Sequence, residues 1–379
     1  MHITQTRLSP SRLEFVRPLK TARATYTVRQ GFLVQLVDEE GRVGQGEAMP
    51  LPEFGTESLD TCEHVVRCHL KALRDQVLSD SLDAIEDAFA IPRGDPSQWK
   101  GVCLRVEEDL PQASAADHAV ELALLDLLAQ RREIPLSRLL NRAARSEVQV
   151  NALLTLEDPQ ELAEEARQAV AEGYRTLKLK VAGRPLEADE ARVRAVRQAV
   201  GSEVNLRLDA NGGWSEEEAV LAVDRLGWYG LELCEQPVAA HDLRALWRLQ
   251  RRSSFPLAAD EALAIPESIP ILLGSTADGM PAASAFVLKP MVLGGLLPAL
   301  MLARQASRRG LESFVTSSLD GIVSRAGAAH LAAALPSGRL ASGLALGRLF
   351  KGEDPAEELF RPVGGRIRLP DAPGLGLPR

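Results

Sequence analysis

Tyr174-Arg175-Thr176-Leu177-Lys178-Leu179-Lys180-Val181 is the stretch on which the reading of this 379-residue chain turns. Its later half alternates leucine with lysine, as a strand does when its two faces meet different surroundings. Residues two apart on a strand share a face, so Lys178 and Lys180 are brought together at its end, where each ammonium disfavours the other's charge. Working outward, comparable runs recur at 148–156, 175–181, 204–209, 231–235, 256–260, 285–289 and 311–316, with a weaker one at 340–346. Segments of helical period lie between them, among them 158–172, 184–200 and 215–228, the last opening with Ser215 as N-cap and Glu218 three residues on. Eight strand-like runs separated by helices predict an α/β fold closed into a TIM-type barrel, with a doubly wound open sheet as the alternative that periodicity leaves open.

The first 130 residues read differently. Strand-like 31–37, the turn Asp38-Glu39-Glu40-Gly41-Arg42 and strand-like 43–48 make a hairpin, and amphipathic helices are expected at 58–78 and 113–131. The chain therefore divides into an α+β domain at 1–130, a barrel at 131–345 and a Gly- and Pro-rich segment at 346–379. That last segment is too small for a domain and is expected to pack back on the first.

Composition sets outer limits. With 45% hydrophobic and 25% charged residues the chain suits a soluble globular protein with an ample core. A formal charge of -8 and a pI near 5.5 argue against nucleic acid or an anionic membrane as the main partner, while leaving room for a local basic site. Cys62, Cys68, Cys103 and Cys234 show neither zinc-ligand spacing nor a disulfide framework and read as buried thiols in a reducing compartment. No leader-like N-terminus and no bilayer-length apolar run is found, so a cytoplasmic location is the default expectation. A homo-oligomer is left open.

Asp209, Glu235 and Asp260 each close an apolar run, roughly 25 residues apart, about one β/α unit. They fall at consecutive strand C-termini, where a barrel keeps its active site. Converging carboxylates repel one another without a cation, and all-oxygen ligation suits Mg²⁺, or Mn²⁺, rather than zinc. The bland reading of any one of them is a cap for the next helix. Lys289 ends the next run and should enter the same mouth from the side opposite Lys178 and Lys180. A lysine beside other cations loses affinity for its proton, which suits a general base. Metal plus base means carbanion chemistry: a divalent ion on a substrate carboxylate stabilises the enediolate left when the α-proton is removed.

These residues resemble the enolase superfamily over nearly the whole chain. Lys178-Leu179-Lys180 is similar to the Lys-x-Lys of its muconate lactonizing enzyme subgroup, and Leu208-Asp209-Ala210-Asn211, Cys234-Glu235-Gln236-Pro237 and Ala259-Asp260-Glu261 resemble its metal-ligand strands. The resemblance implies a modified (β/α)₇β barrel under an N-terminal capping domain completed by the C-terminal segment. It also implies Lys180 as base and Lys178 as the neighbour that lowers its pKa.

Three further stretches resemble the o-succinylbenzoate synthase family: Gly46-Glu47-Ala48-Met49-Pro50-Leu51-Pro52-Glu53-Phe54 in the cap, Leu288-Lys289-Pro290-Met291-Val292-Leu293-Gly294-Gly295, and Thr316-Ser317-Ser318-Leu319-Asp320. That likeness implies a hydro-lyase making o-succinylbenzoate for menaquinone synthesis by syn loss of water through an enediolate. Lys289 would then steady the anion by a cation-π contact. The small carboxylate substrate would meet Arg207, Asn211, Ser317, Ser318, Asp320 and Phe54. The chain departs from that family at Asp320, Gly321, Ser324 and Arg325, changes that would reshape the pocket; Arg325 reads as a carboxylate contact or, more blandly, a solvated helix residue.

An N-acylamino acid racemase or related epimerase would use the same ion and the same two lysine sides. Dipeptide epimerases usually carry an Asp-x-Asp near the last strand, and 340–346 has none. A mandelate-type racemase needs a late-strand histidine; His330 lies in a helix-like run and reads as packed or solvated. A non-catalytic metal-binding barrel would lack a base or a ligand, and neither is missing. Asn211-Gly212-Gly213 lacks the spacing of a dinucleotide fingerprint.

Overall fold

A computed structural model describes residues 1–20, 25–74, 77–89, 110–274, 279–352 and 355–378; Cys103 lies outside these. The first elements form a cap. Strands β1 (Ile3–Lys20), β2 (Thr25–Asp38) and β3 (Val43–Ala48) make an antiparallel sheet in that order, with Val37 opposite Val43 across the expected turn. Sequence reading missed β1 and the start of β2. As an edge strand β1 tolerates Pro10 and many polar residues, which hide its period.

Two cap helices follow. Leu59–Leu73 starts at Ser58, whose hydroxyl accepts from Thr61 N, and stops short of the expected 78. Ser114–Arg131 is buried at every position from Ala115 to Gln130. A helix buried on all sides must be wrapped on all sides. It packs on β3 and also on the barrel helices Pro290–Leu293, Leu296–Arg308 and Ile322–Ala334.

The barrel begins with a correction. The run expected at 148–156 is two elements: β4 (Glu147–Gln149) and β5 (Ala152–Leu154). From β5 the parallel sheet continues through β6 (Thr176–Lys180), β7 (Asn205–Asp209), β8 (Leu233–Glu235), β9 (Leu257–Ala259), β10 (Ala285–Leu288) and β11 (Glu312–Val315), each hydrogen-bonded to the next. The weak run at 340–346 joins no sheet as a strand. Ser342 bridges Val150 and Gly343 bridges Thr316, so this segment links the two sheet edges and takes the eighth place in the ring. Capped barrel and parallel strands are thus the α/β architecture the sequence led us to expect.

Local chemistry sets the helices between the strands. Ser215 and Glu218 form a reciprocal capping box at Glu216–Leu226, and Asp158 accepts from Gln160 N and Glu161 N at the start of Pro159–Ala171. Such caps are each worth about 1 kcal/mol. At the far end β12 (Arg366–Arg368) pairs with β4, while Leu375 N donates to Asp126 and Gln45 donates to Pro378 O. The C-terminal segment therefore touches both barrel and cap. Among the described residues no helix is long and apolar enough to cross a membrane. Cys62 and Cys234 are buried as expected, whereas Cys68 is half-buried; all three are free thiols.

Candidate active site

Strand register gathers the charges. Lys180 pairs with Asp209 and Asp209 with Glu235, while Asp260 and Lys289 each follow the last residue of their strands. All five therefore crown one end of the barrel. In a ring of eight, β6 and β10 stand opposite each other, so Lys180 and Lys289 approach from opposite walls.

The side chains interlock. Lys178 Nζ lies 2.5 Å from Glu235 Oε2 and 2.9 Å from Asp209 Oδ2. Lys180 Nζ is 3.3 Å from Asp209 Oδ2 and donates to Asn211 Oδ1 at 2.5 Å, and Asn211 Nδ2 in turn donates to Glu261. Lys289 Nζ donates to both oxygens of Asp260, at 2.5 and 2.6 Å, and sits 4.8 Å from the centroid of the Phe54 ring.

The expected tuning of Lys180 needs a charged neighbour, and the surroundings of Lys178 keep it charged. Burial pushes the Lys178 pKa down, but Asp209, Glu235 and Asp260 outweigh it and raise it above the ordinary lysine value. Lys289 is raised likewise: Asp260 and Glu261 overcome its burial. Three carboxylates thus favour the charged form of Lys178. Burial acts on the acids as well. Asp209 is held below its usual range because Lys178, Lys180 and Lys289 overcome desolvation, whereas desolvation wins at Glu235 and Asp260 and raises both.

As placed, Asp209 and Glu235 lean on Lys178 and Asp260 on Lys289, and among the described residues no three His, Cys, Asp or Glu side chains converge closely enough to hold an ion. The donor set still fits a hard divalent cation. Three buried carboxylates stand on adjacent strand ends, and Glu235 Oε1 is buried with no hydrogen-bond partner. No nitrogen or sulfur ligand competes among them.

Beneath the cap Lys178, Lys180, Asp209, Asp260 and Lys289 floor a pocket with a cavity volume of about 70 Å³, open at its mouth. Leu19 and Phe54 come from the cap; Asn151, Leu153, Asn211, Thr316, Ser317, Leu319, Gly343, Ala345 and Leu346 come from the rim. Phe54, Asn211 and Ser317 are thus where the sequence led us to look. Arg207 is not. It is fully buried one layer below Asp209, paired with Glu232, donating to Ala341 O at 2.6 Å and stacked 4.5 Å from the Phe314 ring centroid. Facing inward fixed its side of the strand, but depth in the barrel keeps it from the mouth.

Ser318 and Asp320 also leave the list of substrate contacts. Asp320 turns back on its own loop, accepting from Ser317 Oγ and Ser318 N, and neither Ser318 nor Asp320 lines the pocket. Arg325 is neither solvated nor in the pocket: buried, it pairs with Glu357 and donates to Asp320 O. His330 is packed, accepting from Ser137 N at Nδ1, with Nε2 near Leu375 O. Sequence reading missed Gln236, whose Oε1 accepts from both Asp260 N and Ala262 N and so sets the end of β9. Its signal was adjacency to Glu235; its left-handed backbone, φ 34°, could not be foreseen.

Comparison with known proteins agrees with this geometry. Residues 3–141 match the model of the mandelate racemase / muconate lactonizing enzyme N-terminal domain, and residues 161–378 that of the enolase C-terminal domain-like family. An L-Ala-D/L-Glu epimerase from Clostridium acetobutylicum is 30% identical over 95% of this chain and 94% of its own. An N-succinyl-L-Arg/Lys racemase from Bacillus cereus is 26% identical over 100% of this chain and 95% of its own. Among solved structures, a dipeptide epimerase from Enterococcus faecalis complexed with Mg and L-Leu-L-Tyr has a TM-score of 0.83 at 27% identity, covering 100% of both chains. Epimerases and racemases are isomerases, which overturns the expected hydro-lyase. From its cap to the last barrel strand, the chain belongs to the enolase superfamily.

Proposed function

We propose that this protein racemises or epimerises an α-amino acid carboxylate whose nitrogen is acylated, by moving the α-proton between Lys180 and Lys289. The observation that carries this is the placement of the two lysines on opposite walls of one pocket, four places apart in a ring of eight. A planar carbanion that loses its proton to one wall and regains one from the other is inverted.

In the forward direction neutral Lys180 takes the proton, oriented by Asn211, and ammonium Lys289 returns one to the opposite face; the reverse exchanges their roles. Lys178 stays charged, screens Asp209 from Glu235 and adds positive potential beside Lys180. A divalent cation, Mg²⁺ by the hard-oxygen donor set, would be held by Asp209, Glu235 and Asp260 and would supply the charge that a carboxylate needs as its α-proton leaves. Phe54, seated over Lys289, keeps water from that ammonium.

The nitrogen's substituent follows from the lining. Leu19, Leu153, Leu319 and Leu346 surround the pocket, and Asp209 and Asp260 are the only carboxylates among its described lining residues. An amide fits such walls; a free ammonium would find no anion at the outer end. Named relatives acting on dipeptides and on an N-succinyl amino acid support an amide-bearing substrate. The test is to incubate purified protein and Mg²⁺ in D₂O with N-acetyl and N-succinyl L-amino acids and with L,L-dipeptides, following the α-proton by NMR and inversion by polarimetry. Exchange with inversion is expected for the N-acyl set. Absence of exchange in every substrate of both kinds would refute the reading.

A further inference from the structure

Two glycines mark where the cap grips the barrel. Gly295 and Gly321 are the N-caps of helices Leu296–Arg308 and Ile322–Ala334, and neither has a side chain to cap its helix. The missing oxygens come from the other domain. Glu121, on the buried cap helix, accepts from Leu296 N at 2.6 Å and Leu297 N at 2.9 Å. Glu47, on β3, accepts from Ser324 N at 3.0 Å, and its backbone oxygen accepts from Ser324 Oγ at 3.0 Å. A Cβ at position 295 would lie 2.5 Å from the Glu121 carboxylate, and one at 321 would lie 2.0 Å from Glu47 Oε1. Each glycine clears the space that its visiting carboxylate fills.

Both grips sit beside the pocket. Helix Leu296–Arg308 follows the segment that carries Lys289, and helix Ile322–Ala334 follows Ser317 and Leu319. Leu319 has φ 63°, a left-handed conformation that a leucine keeps only when its surroundings impose it. The imposing group also belongs to the cap: Arg29, buried on β2, donates to Leu319 O at 3.3 Å, Pro50 O at 3.0 Å and Met49 O at 2.5 Å, tying the strained loop to the stretch that leads to Phe54.

We propose that Glu47 and Glu121 are positioning residues: by capping two barrel helices in trans they make cap docking and the shape of the pocket's late-barrel wall a single event. The proposal rests on reading this pocket as the reacting site. It explains the departures at Gly321 and Ser324, which are not substrate contacts: one makes room for Glu47 and the other pairs with it.

The geometry offers a way to move one cap from trans to cis. Position 321 is extended, φ −76° and ψ −175°, the ordinary N-cap conformation, and its Cβ direction points at the Glu47 carboxylate. In Glu47→Ala/Gly321→Ser the serine hydroxyl can therefore accept the same Ser324 N–H. If Glu47 only caps a helix, the double variant restores everything. If Glu47 positions the loop, the double variant regains wild-type melting, keeps kcat within about threefold and leaves KM raised at least tenfold for the N-acyl substrate that wild type turns over.

A second readout needs no substrate. In amide hydrogen exchange of the full chain, the double variant should protect Ser324 and the residues after it as wild type does, while the amides of 317–320 exchange at least tenfold faster. Full return of KM, or of protection at 317–320, overturns the proposal; so does a double variant that fails to re-protect Ser324, since the carboxylate would then not be acting as a cap. Should Glu47→Ala alone fail to fold, Glu47→Gln, which exchanges one acceptor oxygen for a donor, is expected to show the same faster exchange at 317–320. If wild type racemises nothing, the proposed function fails, and the exchange experiment still decides this inference.

Discussion

The barrel mouth and the cap–barrel seam both bury carboxylates, yet they handle them in opposite ways. At the mouth Asp209, Glu235 and Asp260 face ammonium groups, and charge answers charge. At the seam Glu47 and Glu121 face backbone N–H groups and helix N-termini, and among the described residues no lysine or arginine hydrogen-bonds either carboxylate. On the proposed reading the mouth exchanges protons and holds a cation, while the seam fixes position. Dense charge marks chemistry, whereas isolated buried acids on helix ends mark architecture.

The sharpest way to break this contrast is to remove a lysine. Lys180→Ala and Lys289→Ala should each cut kcat by at least ~10³-fold, as loss of a general acid or base does. The two should also differ. With only one wall able to exchange protons, each variant should wash deuterium into one enantiomer far faster than into the other, read by NMR in D₂O. Equal wash-in for both enantiomers would show that the walls do not act separately. The same substitution logic applied at the seam should leave the enantiomers equivalent.

How legible each region was in the sequence follows the same division. Strand-end charges at β/α spacing could be read directly, because spacing along the chain becomes adjacency around the ring; Lys178, Lys180, Asp209, Glu235, Asp260 and Lys289 all fall at one mouth for that reason. Depth was illegible. Arg207 shares a face with Asp209 but is a layer lower, and nothing local announces Glu232 or the Ala341 carbonyl as its partners. The seam was illegible for another reason: Glu47 meets Ser324 and Arg325 meets Glu357 only after cap and C-terminal segment fold onto the barrel. Read locally, each is one more surface charge. Eighth-strand pairing was weak in the sequence because the segment at 340–346 makes single bridges and not a ladder.

Arg207 supplies the next prediction, a buried guanidinium paired with a partly exposed carboxylate that serves neither proton transfer nor docking. Arg207→Met leaves Glu232 and the Ala341 carbonyl without their donor and should lower unfolding stability by about 1 to 3 kcal/mol, the usual cost of losing hydrogen bonds from a charged group. Urea unfolding measures it. KM for the N-acyl substrate should stay within a few-fold, since Arg207 does not line the pocket. A large rise in KM without loss of stability would return Arg207 to the site.

The smallest effect is the most specific to the seam. Burial raises Glu47 to about 7 and Glu121 to about 8, in each case against N–H donors that favour the charged form. A carboxyl whose folded pKa lies above its unfolded value binds more protons when folded, so its contribution is fully present below the unfolded pKa and is lost as pH rises through the folded one. For Glu121 that window runs from about 4.5 to about 8. Buried histidines act oppositely at its lower end: desolvation takes His118 down to about 3 and His330 to about 4, so stability tied to them rises with pH until their ordinary value of 6.5 is passed. Above pH 6.5 the histidine contribution is flat and buried acids such as Glu47 and Glu121 set the slope, Glu121's share being at most near 1.4 kcal/mol per pH unit and on the order of 2 kcal/mol by pH 8. Glu121→Gln has no proton to lose. Its stability starts lower, because an amide NH₂ replaces one acceptor, but between pH 6.5 and 8 it should fall less steeply than wild type's. Parallel curves for the two proteins over that range would mean that Glu121 is already ionised in the fold, holding its two N–H donors as a full charge on the helix end.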